Sequence, residues 1–220
     1  MNVCKYCSGL CIKNGHQKNG QQRFKCKQCG KNQQLIYRNQ ACRTDVTAWV
    51  ISLIKESCGI RGMARLLKIS VNTVMKRIRK VAAEVKKPPI LFGQKKVEVD
   101  ELKTYIGSKK SECWIAYALN RQTGQVIDFI VGNRTKQKLG VLIKTLLLAR
   151  VQRIYTDNLR LYRTLIPKYI HCRGSRRTNH IERHNLNLRT HLKRLSRKTI
   201  CFSRSVAMLD ACLRIYFWHK

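Results

Sequence analysis

The strongest constraint lies near the amino terminus, where Cys4-x2-Cys7 and Cys26-x2-Cys29 are separated by 18 residues. Each pair forms a knuckle able to present two thiolates to one ion. Four thiolates complete a tetrahedral Zn²⁺ site with no open position, which marks it as structural. The surrounding residues 1–40 are rich in Cys, Gly, Asn, Gln and Lys and short of apolar side chains. Such a segment folds around its metal rather than around a core. Cys11 is a spare candidate without a paired partner. The eleven cysteines are an odd number, which argues against a purely disulfide framework.

Lys and Arg total 46 against 11 acids in 220 residues, a formal charge of +35. This excess resists compaction unless a polyanion screens it, and nucleic acid is the expected partner. A secretory signal is not expected, nor is a membrane span. The longest apolar candidate, Leu139 to Ala149, is interrupted by Gly140 and Lys144. The expected location is the cytoplasm.

Residues 41–86 read as a helix-turn-helix module. Asp45 to Glu56 forms a first helix with Trp49, Val50, Leu53 and Ile54 inward, and Arg61–Leu67 forms a shorter second one. Lys68-Ile69-Ser70 makes the turn, with Ser70 as N-cap of the third helix. Val71, Val74, Ile78 and Val81 then share a buried face. Asn72, Thr73, Lys76, Arg77 and Lys80 point elsewhere, an amide, hydroxyl and basic surface suited to the major groove. A solvated basic face is the competing reading of the same residues. Lys86-Lys87-Pro88-Pro89 opens a linker, placed at 87–95, because paired prolines interrupt a helix.

From residue 96 to 220 the pattern changes. Strands are expected at Lys96–Ile106, Cys113–Asn120 and Gln125–Val131, then an amphipathic helix at Thr135–Arg150. A strand at Val151–Thr156, a helix at Leu159–Leu165, a strand at Tyr169–Cys172 and a mainly helical remainder follow. This order describes an α/β domain. Alternation along the first strand puts Glu98 and Asp100 on one face and Val97 and Val99 on the other. Asp157 lies at the carboxyl end of a strand. Glu182 lies in a helix and is the only acid between Asp157 and Asp210. Each alone is readable as a counter-ion; together they match the carboxylate set that holds two Mg²⁺ (or Mn²⁺) ions for phosphodiester chemistry.

Asp157-Asn158, the stretch Arg177-x3-Ile181-Glu182-Arg183-His184-Asn185-Leu186-Asn187-Leu188-Arg189, and Leu195-x-Arg197-Lys198 resemble transposases of the insertion-sequence-one (IS-one) family. The resemblance runs over nearly the whole chain, the zinc ribbon expected at residues 1–40 and the helix-turn-helix included. That family commonly encodes its two regions in separate frames, whereas here they are continuous. The resemblance implies a ribonuclease-H-like catalytic domain and a three-carboxylate site at Asp100, Asp157 and Glu182, with Glu98 and Glu101 as rivals for the first position. It also implies hydrolysis at element ends to free 3′-hydroxyls, followed by their transfer to target DNA. Arg189, seven residues or about two turns after Glu182, shares its helix face and is expected to meet phosphate; Asn185 shares that face too.

The expected function is therefore a Mg²⁺-dependent DNA transposase acting on terminal inverted repeats, as a homodimer or larger assembly on DNA. The alternatives are a sequence-specific DNA-binding regulator without catalysis, and a nuclease of the same fold that does not join strands.

Overall fold

The computed structural model describes residues 2–37, 39–89, 96–174 and 177–219. The chain divides into two compact units, Met1–Val46 and Thr47–Lys220.

The first unit is a small antiparallel sheet of β1 (Cys11–His16), β2 (Gln22–Cys26) and β3 (Asn32–Gln33), with β2 central. Its interior is slight. Phe24 is buried, and the Gln33 side chain ties down the first residues by accepting from Lys5 N and donating to Val3 O, each at 2.9 Å. The two cysteine knuckles have the same backbone form. Ser8 N donates to Cys4 O and Gly30 N to Cys26 O, and both donors sit in the left-handed region at φ 59° and 67°. Glycine adopts that conformation without penalty and serine does not, so the Ser8 knuckle carries the strain.

The second unit opens with α1 (Val46–Lys55), α2 (Ile60–Leu66) and α3 (Val71–Glu84). Val50, Ile54, Met63, Val74 and Ile78 are their buried apolar residues. Ser70 caps α3 as expected, accepting from Thr73 N at 3.0 Å. Two inward assignments are corrected. Trp49 is 55% exposed, because Val46, Val50 and Ile54 form the buried stripe of α1 and Trp49 lies off it. Val71 is 37% exposed, because it is the first residue of α3 and the buried face of that helix begins at Val74. The α1–α2 corner bonds to the C-terminal part of the same unit: Ser57 N donates to His191 O and Ser57 Oγ to Thr190 O, each at 2.9 Å. The expected linker continues through residues 90–95, which lie outside the described residues.

Next come β4 (Lys96–Ile106), β5 (Ser108–Asn120), β6 (Val126–Gly132), α4 (Lys136–Leu148), β7 (Arg153–Thr156), α5 (Arg160–Leu165), β8 (His171–Arg173), α6 (Asn179–His191) and α7 (Val206–Trp218). The sheet order is β6-β5-β4-β7-β8. β4, β5 and β6 pair antiparallel as a meander, while β7 and β8 join parallel to β4. Parallel pairing requires crossovers, and α4 and α5 supply them. β5 begins five residues before the expected Cys113, since the exposed polar run Ser108–Glu112 shows no alternation but still pairs with β4.

One face of the sheet packs Val97, Val99, Ala116, Ala118 and Ile127 against Leu139, Leu142, Ile143 and Leu146 of α4 and Tyr162 of α5. The other face receives α6 and α7, with Ile181, Leu188, Leu209 and Leu213 buried. Thus Val97 and Val99 face α4, while Glu98 and Asp100 bond to residues of α6, as strand alternation requires. No described helix is long and apolar enough to cross a membrane.

Candidate active site and metal centres

Register puts two carboxylates side by side. Glu98 of β4 pairs with Tyr155 of β7 in parallel, so two residues further along each strand stand Asp100 and Asp157. Asp157 has just left β7, and its Oδ1 accepts Leu159 N at 2.9 Å, which starts α5. Asp100 uses one oxygen for Glu101 N at 2.8 Å and the other for Asn185 Nδ2 at 2.7 Å. Carboxylate oxygens of Asp100, Glu101 and Asp157 all lie within 4.8 Å of one another. Burial raises the Asp100 carboxyl to about 6; the charges of Asp157 and Glu182 push the same way, against the Glu101 N–H and the Asn185 amide. Three carboxylates this close make a candidate site for a hard, oxygen-seeking cation.

Glu182 occupies the first turn of α6 and accepts from Thr178 Oγ1 at 2.8 Å. It lies outside the close trio, yet its charge is felt at Asp100. Together with Asn185, Arg189, Lys193 and Arg197 it lines a cavity of about 820 Å³, open to solvent and flanked by Ser57. Arg189 therefore shares a face with Glu182, and one of its guanidinium nitrogens donates to Leu195 O at 2.8 Å.

The two rivals of Asp100 are differently employed. Glu98 is fully buried, accepting His180 Nδ1 and Ile181 N at 2.8 Å and pairing with Arg121 Nε at 3.1 Å. Its carboxylate anchors the amino end of α6. Glu101 lies on the opposite face of β4 from Asp100, bonded to the Tyr162 hydroxyl and, at 3.2 Å, to Arg134 Nη2. Burial raises its carboxyl above the usual range. Sequence reasoning held Glu101 as a rival to Asp100 rather than as a companion beside it, and it gave Asn185 no contact. Tyr117 went unnoticed, because its place opposite Asp100 follows from hairpin register rather than from any motif.

In the first unit Cys4, Cys7, Cys26 and Cys29 place their sulfurs within 4.8 Å of one another, and Cys11 is not in the group. Cys4 to Cys29 is 3.6 Å and Cys7 to Cys26 is 3.5 Å. The Cys29 N–H leads the effects that lower Cys26 to about 6, and the Tyr6 N–H likewise lowers Cys4. Backbone donors aimed at sulfur favour the thiolates a metal requires.

On α3, Asn72, Lys76 and Lys80 are exposed. Thr73 is half-buried and shares the cap with Ser70, their hydroxyls 2.8 Å apart. Arg77 donates to Thr47 Oγ1 at 3.1 Å.

Residues 95–220, more than half of the chain, match the family model described as IS1 transposase. The chain belongs to the IS1 transposase family. It is 42% identical over 109 residues to the insertion element iso-IS1n protein InsB of Shigella dysenteriae, covering 50% of this chain and 83% of that protein. With the insertion element IS1 protein InsB of Shigella flexneri the identity is 39% over 119 residues, 54% of this chain and 91% of that one. A chain of the cryo-EM structure of the simian T-cell lymphotropic virus intasome, in complex with PP2A regulatory subunit B56 gamma, superposes with a TM-score of 0.41. That match has 16% identity and covers 76% of this chain and 66% of the other. As an IS1-family transposase, the protein belongs to DNA transposition and recombination.

Proposed function

We propose that this transposase binds the terminal inverted repeats of an insertion sequence, hydrolyses phosphodiester bonds there to free 3′-hydroxyls, and transfers those strands to target DNA. The observation that carries the reading is the adjacency of Asp100 and Asp157 on neighbouring parallel strands, with Glu182 close on the covering helix. The central position of β4, with the antiparallel meander on one side and the parallel pair on the other, supports a ribonuclease-H-like fold.

The donor chemistry fits the metals. Three carboxylates suit Mg²⁺ or Mn²⁺, and four sulfurs suit one structural Zn²⁺. Asp100, Asp157 and Glu182 would hold two Mg²⁺ ions, and Cys4, Cys7, Cys26 and Cys29 the zinc. When bound, paired Mg²⁺ ions activate the attacking oxygen and stabilise the leaving oxygen. The chain's own groups do the rest. Glu98 fixes the start of α6 and so the height of Glu182 above the sheet. The Leu159 N–H fixes Asp157. Arg189, Lys193 and Arg197 line the cavity beside Glu182, where they attract DNA phosphates and orient the strand. Asn72, Thr73, Lys76, Arg77 and Lys80 of α3 would face the terminal repeats, with Asn72 and Lys76 free in the exposed first turns to reach base edges. Acting on two ends calls for a dimer or larger assembly on DNA.

A gel assay of labelled element ends with Mg²⁺ tests the reading: nicked and joined products are expected, and both disappear with Asp157→Asn. Specific binding without nicking, unchanged by Asp157→Asn, would instead identify a DNA-binding regulator, and nicking without joining a nuclease.

A further inference from the structure

Asp100 is held by a run of hydrogen bonds that reaches away from the acidic site. Asn185 Nδ2 meets Asp100 Oδ2 at 2.7 Å, Tyr117 Oη meets Asn185 Oδ1 at 2.8 Å, and His184 Nδ1 meets Tyr117 Oη at 3.1 Å. Donor and acceptor roles along it have only one consistent assignment. A carboxylate accepts only, so Asn185 must turn its NH₂ toward Asp100. Its carbonyl oxygen then faces Tyr117, which must donate. The Tyr117 oxygen is left to accept, so His184 carries its proton on Nδ1. Tyr117 has one proton and two acceptors in reach, Asn185 Oδ1 at 2.8 Å and Ile181 O at 3.3 Å, and the shorter bond takes it.

The protonation state of Tyr117 agrees with this assignment. Burial holds the Tyr117 hydroxyl well above its ordinary range, so it stays protonated. The rings have little freedom. Tyr117 is fully buried and stacked on Phe217 of α7, with centroids 5.8 Å apart, and Phe217 also stacks on His184 at 5.9 Å. Asp157 and Glu101 take their support from the opposite side of the sheet, through Leu159 N, Tyr162 and Arg134. Asp100 alone of the trio is held through α6.

We propose that Asn185, Tyr117 and His184 are positioning residues for the catalytic reaction: a one-directional donor chain that fixes the plane of the Asp100 carboxylate and leaves its remaining lone pairs turned toward Asp157. The proposal rests on the reading of Asp100 as a metal ligand. Partners that orient a ligand typically contribute about 10- to 100-fold to metal affinity or activity. Without the Tyr117 hydroxyl the Asn185 Oδ1 loses its donor, so the amide is held only at its Asp100 end and can turn out of line with that carboxylate.

The test uses the full zinc-loaded chain, with Mn²⁺ as probe followed by the EPR signal of free ion, alongside cleavage of labelled ends. Tyr117→Phe keeps the buried ring and should weaken Mn²⁺ binding and slow cleavage about 10-fold each, with DNA affinity unchanged. Asn185→Ala should do at least as much, and the double variant no more than Asn185→Ala alone, because the two act through one bond to Asp100. Additive losses, or Tyr117→Phe staying within about twofold of the unaltered chain in both measurements, would overturn the proposal. Asp157→Asn separates the two failures. If it abolishes Mn²⁺ binding and cleavage while Tyr117→Phe changes neither, the donor chain is wrong and the metal site stands. If Asp157→Asn still cuts, the metal site itself is wrong, and the donor chain with it.

Discussion

The carboxylate of Glu98 accepts the backbone N–H of Ile181 at 2.8 Å, tying the central strand to the residue immediately before Glu182. The same carboxylate takes His180 and Arg121, so a fully buried acid closes the amino end of α6 with three donors. A negative charge there also complements the helix dipole. Glu98 is thus the acid of β4 that sets where α6 begins.

Glu98→Ala leaves Ile181 N without its acceptor and Arg121 without its counter-charge. Because Arg121 and His180 are partly exposed, the expected loss is about 2–3 kcal/mol, that of hydrogen bonds to one charged group rather than of a sealed ion pair. Urea unfolding followed by tryptophan fluorescence measures it. Trp49, Trp114 and Trp218 are the three tryptophans and all lie in Thr47–Lys220, so the signal reports that unit alone. A loss under about 0.5 kcal/mol, the size expected of an ordinary surface substitution, would show that α6 is placed by apolar packing instead.

The same optical selectivity isolates the ribbon. Chelation, or Cys26→Ser, should release one zinc per chain and weaken binding to element ends. The tryptophan-monitored transition should not move, because the ribbon contains no tryptophan and its fold depends on the metal rather than on a core. Unchanged end binding after zinc loss would remove the ribbon from DNA recognition.

Glu182→Gln keeps the size of the side chain and its acceptor for Thr178 Oγ1 while deleting one charge. Affinity for end DNA should hold, and cleavage should fall ~100-fold or more, the scale of losing one pre-organised electrostatic contact at a reacting phosphate. Binding and cleavage measured on the same labelled duplex decide it. Cleavage at the unaltered rate would make Glu182 a counter-ion for the surrounding arginines.

On α3 the exposed amide and the exposed lysines should separate by salt and sequence. Asn72→Ala should cost about 1–3 kcal/mol on the terminal repeat and little on random duplex, as loss of a base contact does. Lys76→Ala and Lys80→Ala should weaken both duplexes alike and lower the slope of log affinity against log salt by about 1 each. Equal effects of Asn72→Ala on both duplexes would place α3 on the backbone and the specificity elsewhere.

Much of this molecule is legible in its sequence because the relevant signals are local. The paired Cys-x2-Cys knuckles, the Ser70 cap, the span of β4 and the alternation that turns Val97 and Val99 to one face and Glu98 and Asp100 to the other need only neighbouring residues. The scarcity of acids in a chain of charge +35 singled out Glu182 in the same way. What the sequence alone did not decide depends on distances between residues far apart in the chain. That Glu98 seals the start of α6, that Glu101 joins Asp100 and Asp157 within 4.8 Å, and that Tyr117 reaches Asp100 through Asn185 all follow from strand register and helix docking. Trp49 shows the limit from the other side, since a 10-residue helix admits more than one apolar stripe and only tertiary packing selects one. Residue chemistry named the candidates, and tertiary packing, by fixing which of them lie within bonding distance, assigned their work.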